Sequence, residues 1–346
     1  MREMNHAAPR RHILSSAVSG LLALAAFIAT TGSTEADTIK VGTLRVAAFS
    51  PVFVAQEKGY FAAEGVPAEI VYFDAAQPVA VATVSGAIDF GIAALTGGFY
   101  NLASQGALKI IAAANREFPG FQTQAFIVSS KAYASGLRSL VDLPGHSFAV
   151  TGLGAPPVYV VGGILAEKYG FDFKTIRLVS LTTMPNINTA VAGGQVDFTI
   201  TSLLGAMAGF VERQQVHLIG WVGDEAPWQF GVAFTATKTA NERQDTVEKF
   251  LRAYRKGART YHDAFTGAGE TREDEPTASA LLAILAKYTD QSVEDVARGL
   301  PYIDAEARID VKNIRHQINW YKSQGIMKDP VDGAALIDTR YATALP

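Results

Sequence analysis

The sequence predicts an α/β protein of two lobes, each a mostly parallel sheet flanked by helices, with two hinge strands joining them. Three observations lead there. The chain has 346 residues and 49% hydrophobic content, enough for about two cores. A pattern recurs at a spacing of 108 residues, ATVSGAIDFGIAALTG around Asp89 and AVAGGQVDFTITSLLG around Asp197. Each copy also sits in the same order of apolar runs and Gly or Pro breaks, strand, helix, strand, which describes a parallel sheet covered by helices.

The first thirty-six residues read as a leader. Arg2, Arg10 and Arg11 precede the apolar run Ala17 to Ala29, and the small polar stretch TTGSTEA follows. A basic start, a short apolar stretch and a small-residue cleavage point describe a secretory signal peptide. The apolar run is well below the roughly 20 residues of a membrane span. Cleavage is expected after Ala36, and Arg10-Arg11-His12-Ile13-Leu14 also resembles a twin-arginine export signal. No cysteine follows to carry a lipid anchor, so the expected product is periplasmic, with no stable membrane insertion after cleavage.

The next elements come in pairs. VGTLRVAAFSPVFVAQEKGYF (41–61) is echoed by FAVTGLGAPPVYVVGGILAEKYGF (148–171). Both read as a strand, a short loop, a proline in the first helical turn, then a helix ending in Glu-Lys and an aromatic–glycine pair. Proline suits that first turn because the N–H it lacks has no partner there. Second strands follow at AEIVYF (68–73) and TIRLVSL (175–181). Third strands, DFGIAAL and DFTITSL, are apolar enough to be buried on both faces. In the repeat Gly86 superposes on Gly194, Phe90 on Phe198, Ile92 on Ile200, Leu95 on Leu203 and Gly97 on Gly205. QTQAFIVSS (122–130) and QFGVAFTAT (229–237) read as the hinge strands that take the chain into the second half and back. Residues 241–265 then place Val247, Phe250, Leu251, Tyr254, Ala258 and Tyr261 on one helical face, and three more amphipathic helices complete the chain. Lobe one is expected at 37–125 plus 236–346, and lobe two at 126–235.

Composition closes several function classes. A net charge of −3 and 18% charged residues give no basic surface for nucleic acid. The absence of cysteine excludes disulfides, thiolate zinc sites, Fe–S clusters and a cysteine nucleophile. His6, His12, His146, His217, His262 and His316 lack metal-ligand spacing, and no metal or cofactor is expected. There is no G-x-S-x-G or phosphate-loop motif, and Gly152-Leu153-Gly154 lacks the third glycine of a dinucleotide loop. Asp89 and Asp197 occupy equivalent strand starts, which favours turn or cap roles over a catalytic carboxylate pair.

An ordered set of short motifs spans the remaining chain. It comprises Ala55-Gln56-Glu57-Lys58-Gly59-Tyr60-Phe61 with Glu64-Gly65, Gly86-x-x-Asp89 and Ser139-Leu140-x-Asp142-Leu143-x-Gly145. Gly194-x-x-Asp197 and Trp320-Tyr321-Lys322-Ser323-Gln324-Gly325 complete it. In these the sequence resembles periplasmic substrate-binding proteins of ABC importers, in the nitrate/sulfonate/taurine and thiamine-pyrimidine-precursor-like group. The resemblance implies a type II periplasmic-binding-protein fold that closes on a small solute and delivers it to a permease driven by a separate ATPase. A monomer and no catalytic activity of its own are expected. A binding protein serving a sensor kinase is the alternative. A pyrimidine synthase of the same group is opposed by the leader and by the missing cysteines.

Ligands of open parallel sheets bind beyond the carboxyl ends of the strands. That rule selects Arg45, Phe49, Ser50, Leu95, Thr96, Asn115 and Arg116 in lobe one. In lobe two it selects Gly154, Ala155, Thr183, Thr201 and Ser202, with Trp228 at the mouth. Phe118, Phe121 and Trp221 are further aromatics near it. Leu153 and Ala155 bring no hydroxyl to the lobe-two loop, where the nitrate and sulfonate relatives tend to carry one, and Pro156 and Pro157 bring no N–H. Few donors suit a small hydrated anion poorly. The expected ligand is therefore a larger organic anion, an aromatic or other carboxylate or sulfonate, gripped by Arg45 or Arg116.

Overall fold

Two five-stranded sheets with one shared strand order organise the protein. The computed structural model describes residues 38–204, 206–327 and 331–346. The expected leader (1–36) and Gly205 of the repeat lie outside the described residues. The first sheet contains β1 (Ile39–Thr43), β2 (Ala68–Tyr72), β3 (Phe90–Ala94) and β4 (Leu108–Glu117). The second contains β5 (Ala125–Ser129), β6 (Ser147–Val150), β7 (Arg177–Ser180), β8 (Phe198–Thr201) and β9 (Val216–Trp221). The last strand, β10 (Trp228–Ala236), returns to the first sheet. Sheet one runs β2-β1-β3-β10-β4 and sheet two β7-β6-β8-β5-β9.

The internal repeat is thus a repeat of topology. β1 pairs in parallel with β2 from Ile39↔Ala68 to Thr43↔Tyr72, and β6 with β7 from Ser147↔Arg177 to Val150↔Ser180. β3 and β8 are buried along their whole length, as their unbroken apolar runs require. The two aspartates close equivalent positions. Asp89 accepts from the Lys40 N–H at 2.8 Å and pairs with Arg243, while Asp197 accepts from the Ser147 N–H and Oγ, each at 2.8 Å. Both lie at strand starts, opposite the carboxyl ends.

The segments expected to be hinge strands take another part. β5 lies between β8 and β9, and β10 between β3 and β4, antiparallel to both neighbours in each case. They are the fourth strands of their sheets. Lobe two therefore gives up β10, which the sequence-based boundary at 235 had assigned to it. The connections between sheets are the short segments 118–124 and 222–227. They are tied to each other: Val222 N–H donates to the Gln124 carbonyl and Gly120 N–H to Asp224 Oδ1, both at 2.8 Å. Gly223 lies so close that a Cβ there would sit 2.3 Å from the Phe118 carbonyl oxygen.

The C-terminal third packs mainly on sheet one. Helix Gln244–Phe265 buries the expected face, Val247, Phe250, Leu251, Tyr254, Ala258 and Tyr261 included, against helix Ser50–Glu57. Helix Val311–Ser323 crosses to the second lobe. There His316 Nδ1 lies 2.8 Å from the Tyr159 hydroxyl, and Asn313 Nδ2 donates to that oxygen at 3.1 Å. The Trp320 ring rests on Gly162 and Gly163, inside the π-helical turn Val160–Leu165. A Cβ at Gly162 would strike Trp320 at 2.5 Å, and one at Gly163 would strike the Tyr159 ring at 2.7 Å and crowd Trp320 at 3.1 Å. Among the described residues no helix is long and apolar enough to cross a membrane.

Candidate functional site

A cavity of about 700 Å³ opens between the two sheets at the carboxyl ends of their parallel strands. Leu44 and Ala94 follow or end β1 and β3, Asn115 and Glu117 end β4, and Val150 and Thr201 end β6 and β8. The size suits a small organic molecule.

Seven of the thirteen sequence-selected residues line this cavity: Phe49, Thr96, Asn115, Gly154, Ala155, Thr201 and Ser202. Six do not. The exposed Arg45 guanidinium lies 3.6 Å from the Tyr72 ring centroid and reaches the Tyr288 carbonyl. Ser50 is buried with its hydroxyl on the Ala47 carbonyl at 2.6 Å. Leu95 is core, its N–H on the Phe230 carbonyl at 2.9 Å. Thr183 caps helix Met184–Ala192 by accepting from Asn186 N–H, and it is Met184, Ile187 and Asn188 of that helix that reach the cavity. Trp228 is fully buried, 5.4 Å from the Tyr159 ring and 5.5 Å from Phe230. Arg116 turns away, 3.6 Å from Asp310 and over the Phe118 ring. Phe118 and Phe121 pack on Tyr302, and Trp221 lines an adjoining cavity of about 640 Å³.

Arg116 fails for a reason of parity. Successive side chains of a strand point to opposite faces, so Asn115 and Glu117 share the cleft face and Arg116 takes the other. The sequence expectation of Asn115 and Arg116 at this strand end is met in the cavity lining by Asn115 alone. The neighbour it missed is the chemically distinctive one. Glu117 is the single ionisable side chain among the described residues lining the cavity. It is 1% exposed and accepts from the Thr123 hydroxyl at 2.5 Å through Oε2. Burial pushes its carboxyl up to about 7, the Thr123 hydrogen bond opposing only in part.

That shift has a stability consequence of fixed sign. The folded-state value lies above the unfolded one, about 4.3, so folding favours the protonated acid. Stability therefore declines as pH rises from about 4.3 to about 7, by up to about 4 kcal/mol in total. Glu117→Gln removes the charge and should raise the melting temperature at pH 8 while leaving it nearly unchanged at pH 5. Thermal melts of both proteins across that range check it; parallel curves would exclude Glu117 as a buried titrating acid.

The remaining lining is apolar or neutral. Leu44, Phe49, Met184, Ile187 and Phe230 form its greasy walls, and Gln77, Asn115, Gln124, Asn188 and Gln291 bring amides. No lysine or arginine is among the lining residues described. The organic anion expected from sequence would thus meet a carboxyl group and no countercharge. Some of the helix-terminal donors are already engaged, although helix Ala76–Ser85, which starts at the wall, has no side-chain cap. Gly97 N–H already donates to the Gly154 carbonyl at 3.0 Å and Phe99 N–H to Thr96 Oγ1 at 3.0 Å, while Pro156 and Pro157 have no N–H. In the adjoining cavity Arg272 pairs with Asp274 at 2.6 Å and Arg298 with Asp295 at 3.4 Å. Among the described residues no cluster of His, Asp or Glu could hold a metal ion.

Two sheets of one topology, tied by two short crossings and meeting around a cavity, define the two-lobed α/β fold of periplasmic binding proteins. The sequence matches the NMT1/THI5-like family over residues 46–264, and the chain belongs to that family. Solved structures of similar fold include the periplasmic aliphatic sulphonate binding protein SsuA from Escherichia coli. It is 16% identical, with 89% of this chain and 94% of that one covered at a TM-score of 0.68. The alkanesulfonate-binding protein SsuA from Xanthomonas axonopodis pv. citri, bound to MOPS, is 18% identical, with coverage of 87% and 98% and a TM-score of 0.63. An enzyme shares the architecture as well. The desulfurization enzyme DSZB is 13% identical, with coverage of 89% and 96% and a TM-score of 0.56. No curated protein matches the sequence.

Proposed function

We propose that this chain is the extracytoplasmic solute-binding component of an ABC importer. It would be exported by its leader, hold a small organic solute between its lobes and deliver it to a permease by hinge closure. The observation that carries this reading is the cavity itself, built jointly from the carboxyl ends of two topologically equal sheets. A ligand touching both lobes binds the closed arrangement better than the open one, which is all that a population shift requires. Family membership supports the same reading. An enzymatic role has less behind it: the chain has no cysteine, and the one acid in the cavity has no histidine or lysine beside it among the described lining residues to form a catalytic pair.

Residues 37–346 should be released by osmotic shock from expressing cells. A solute at about one hundred times its dissociation constant should add about 2.7 kcal/mol to stability and reduce the radius of gyration in small-angle scattering. The solute should be recovered unchanged. Chemical turnover of it, or stabilisation with no compaction, would overturn the transport reading.

A further inference from the structure

The charge pattern of the cleft runs opposite to the one expected from sequence. Glu117 is held by the Thr123 hydroxyl through Oε2 alone, which leaves Oε1 to accept from a ligand. Among the cavity's described lining residues the acid is the one ionisable side chain, and no lysine or arginine stands beside it. An anion would bring a like charge next to it.

We propose that the cleft binds a small organic amine in its protonated form, the ammonium or amidinium N–H groups facing Glu117 Oε1 and the apolar body lying on Phe49, Phe230, Met184 and Ile187. The inference rests on the reading of the cleft as a solute site and names the solute's chemical class. An ionised carboxylate in a dry site is held best by a directly hydrogen-bonded cation. The cavity has the matching apolar surface for the rest of the molecule. The buried acid is thereby given a use other than pinning the crossing segment through Thr123. That structural use survives in Glu117→Gln, because the amide oxygen still accepts from the Thr123 hydroxyl while the negative charge is gone.

The test uses the mature chain and three matched series: phenethylamine and benzamidine, then phenylacetate and benzenesulfonate, then neutral phenylacetamide. Calorimetric titration and thermal melts at pH 8 and low salt should show the amines binding at least about tenfold tighter than the anions of the same size. Glu117→Gln should melt no lower than the parent protein and lose that preference, weakening the amines by about tenfold or more and leaving phenylacetamide unchanged. Anions binding as well as amines, or amines indifferent to Glu117→Gln, would overturn the ammonium assignment and leave the cleft standing as a solute site. Silence from all three series to millimolar concentration would overturn it too. The transport reading would then be decided separately, by release from the periplasm and by the compaction that any solute induces.

Discussion

Replacing Gly257 with alanine should destabilise the protein, although the same exchange in an ordinary helix stabilises. Gly257 lies in the middle of helix Gln244–Phe265, where glycine costs about 1 kcal/mol relative to alanine. Propensity alone therefore forecasts a gain. The packing forecasts the reverse. A Cβ at Gly257 would sit 2.3 Å from the Pro51 carbonyl oxygen, 3.0 Å from Ala55 Cβ and 3.1 Å from Ala55 N. Those are backbone or near-backbone atoms of helix Ser50–Glu57, whose residues from Ser50 to Ala55 are all buried. No side-chain rotation relieves the contact, so one helix must move off the other. Overpacking of this kind costs about 1–3 kcal/mol for a methyl group, and valine at the same place should cost more. The expected result is a fall in melting temperature of roughly 2–6 °C for Gly257→Ala and a larger one for Gly257→Val. Gly209, in helix Ala206–Glu212, is the control. Its Cβ would meet only the mobile tip of Arg213, at 3.1 Å. Gly209→Ala should be neutral or stabilising by up to about 1 kcal/mol. Equal effects at the two sites would refute the close approach of the helices. The displacement would also reach the cleft, since residues 47–49, which lead into the Ser50 helix, form part of its wall.

Much of this fold was legible because the chain says it twice. The aspartates, the helix-ending glycines and the first-turn prolines recur in one order, and a topology repeated at 108 residues leaves few alternatives. The role of β5 and β10 was not legible. An apolar run such as AFIVS is equally suited to bridging two sheets and to lying inside one, and only long-range pairing distinguishes the cases. Residues in loops beyond strand ends, Thr96, Gly154, Ala155 and Ser202, could be placed from topology alone. The choice between Arg116 and Glu117 could not, since it depends on which face β4 turns to the cleft. Asn188 had a readable signal, lying one helical turn from Met184 and next to Ile187 on the same face. Gln291 had none: it reaches the cavity from between two C-terminal helices, far along the chain from either copy of the repeat.

The two lobes meet backbone to backbone at one edge of the cleft, and that contact should control closure. Gly97 opens helix Gly97–Ser104 in the first lobe, and its N–H donates to the carbonyl of Gly154 in the second at 3.0 Å. A Cβ on Gly97 would sit 2.6 Å from Ile326 Cγ2 and 3.3 Å from Gly154 Cα. A Cβ on Gly154 would find only ordinary contacts, the nearest at 3.4 Å from Gly97 Cα. The two glycines are therefore unequal. Gly154→Ala should be tolerated, whereas Gly97→Val should hold the lobes apart by losing the hydrogen bond, about 1 kcal/mol, and by overpacking, about 1–3 kcal/mol. A penalty of about 2–4 kcal/mol on the closed arrangement alone weakens any ligand that needs it by roughly 30- to 1,000-fold. Much of the effect is visible without a ligand. Hydrogen exchange at residues 95–100 and 152–155 should quicken in Gly97→Val and stay slow in Gly154→Ala, and the radius of gyration should rise only in the former. Ile326→Ala removes the harder of the two clashes, so the double variant should recover part of the closed population, a coupling that separate local damage would not give. Unchanged exchange in Gly97→Val would mean that the Gly97–Gly154 contact contributes nothing to closure, and that the buried contacts of Tyr159 with helix Val311–Ser323 hold the lobes in its place.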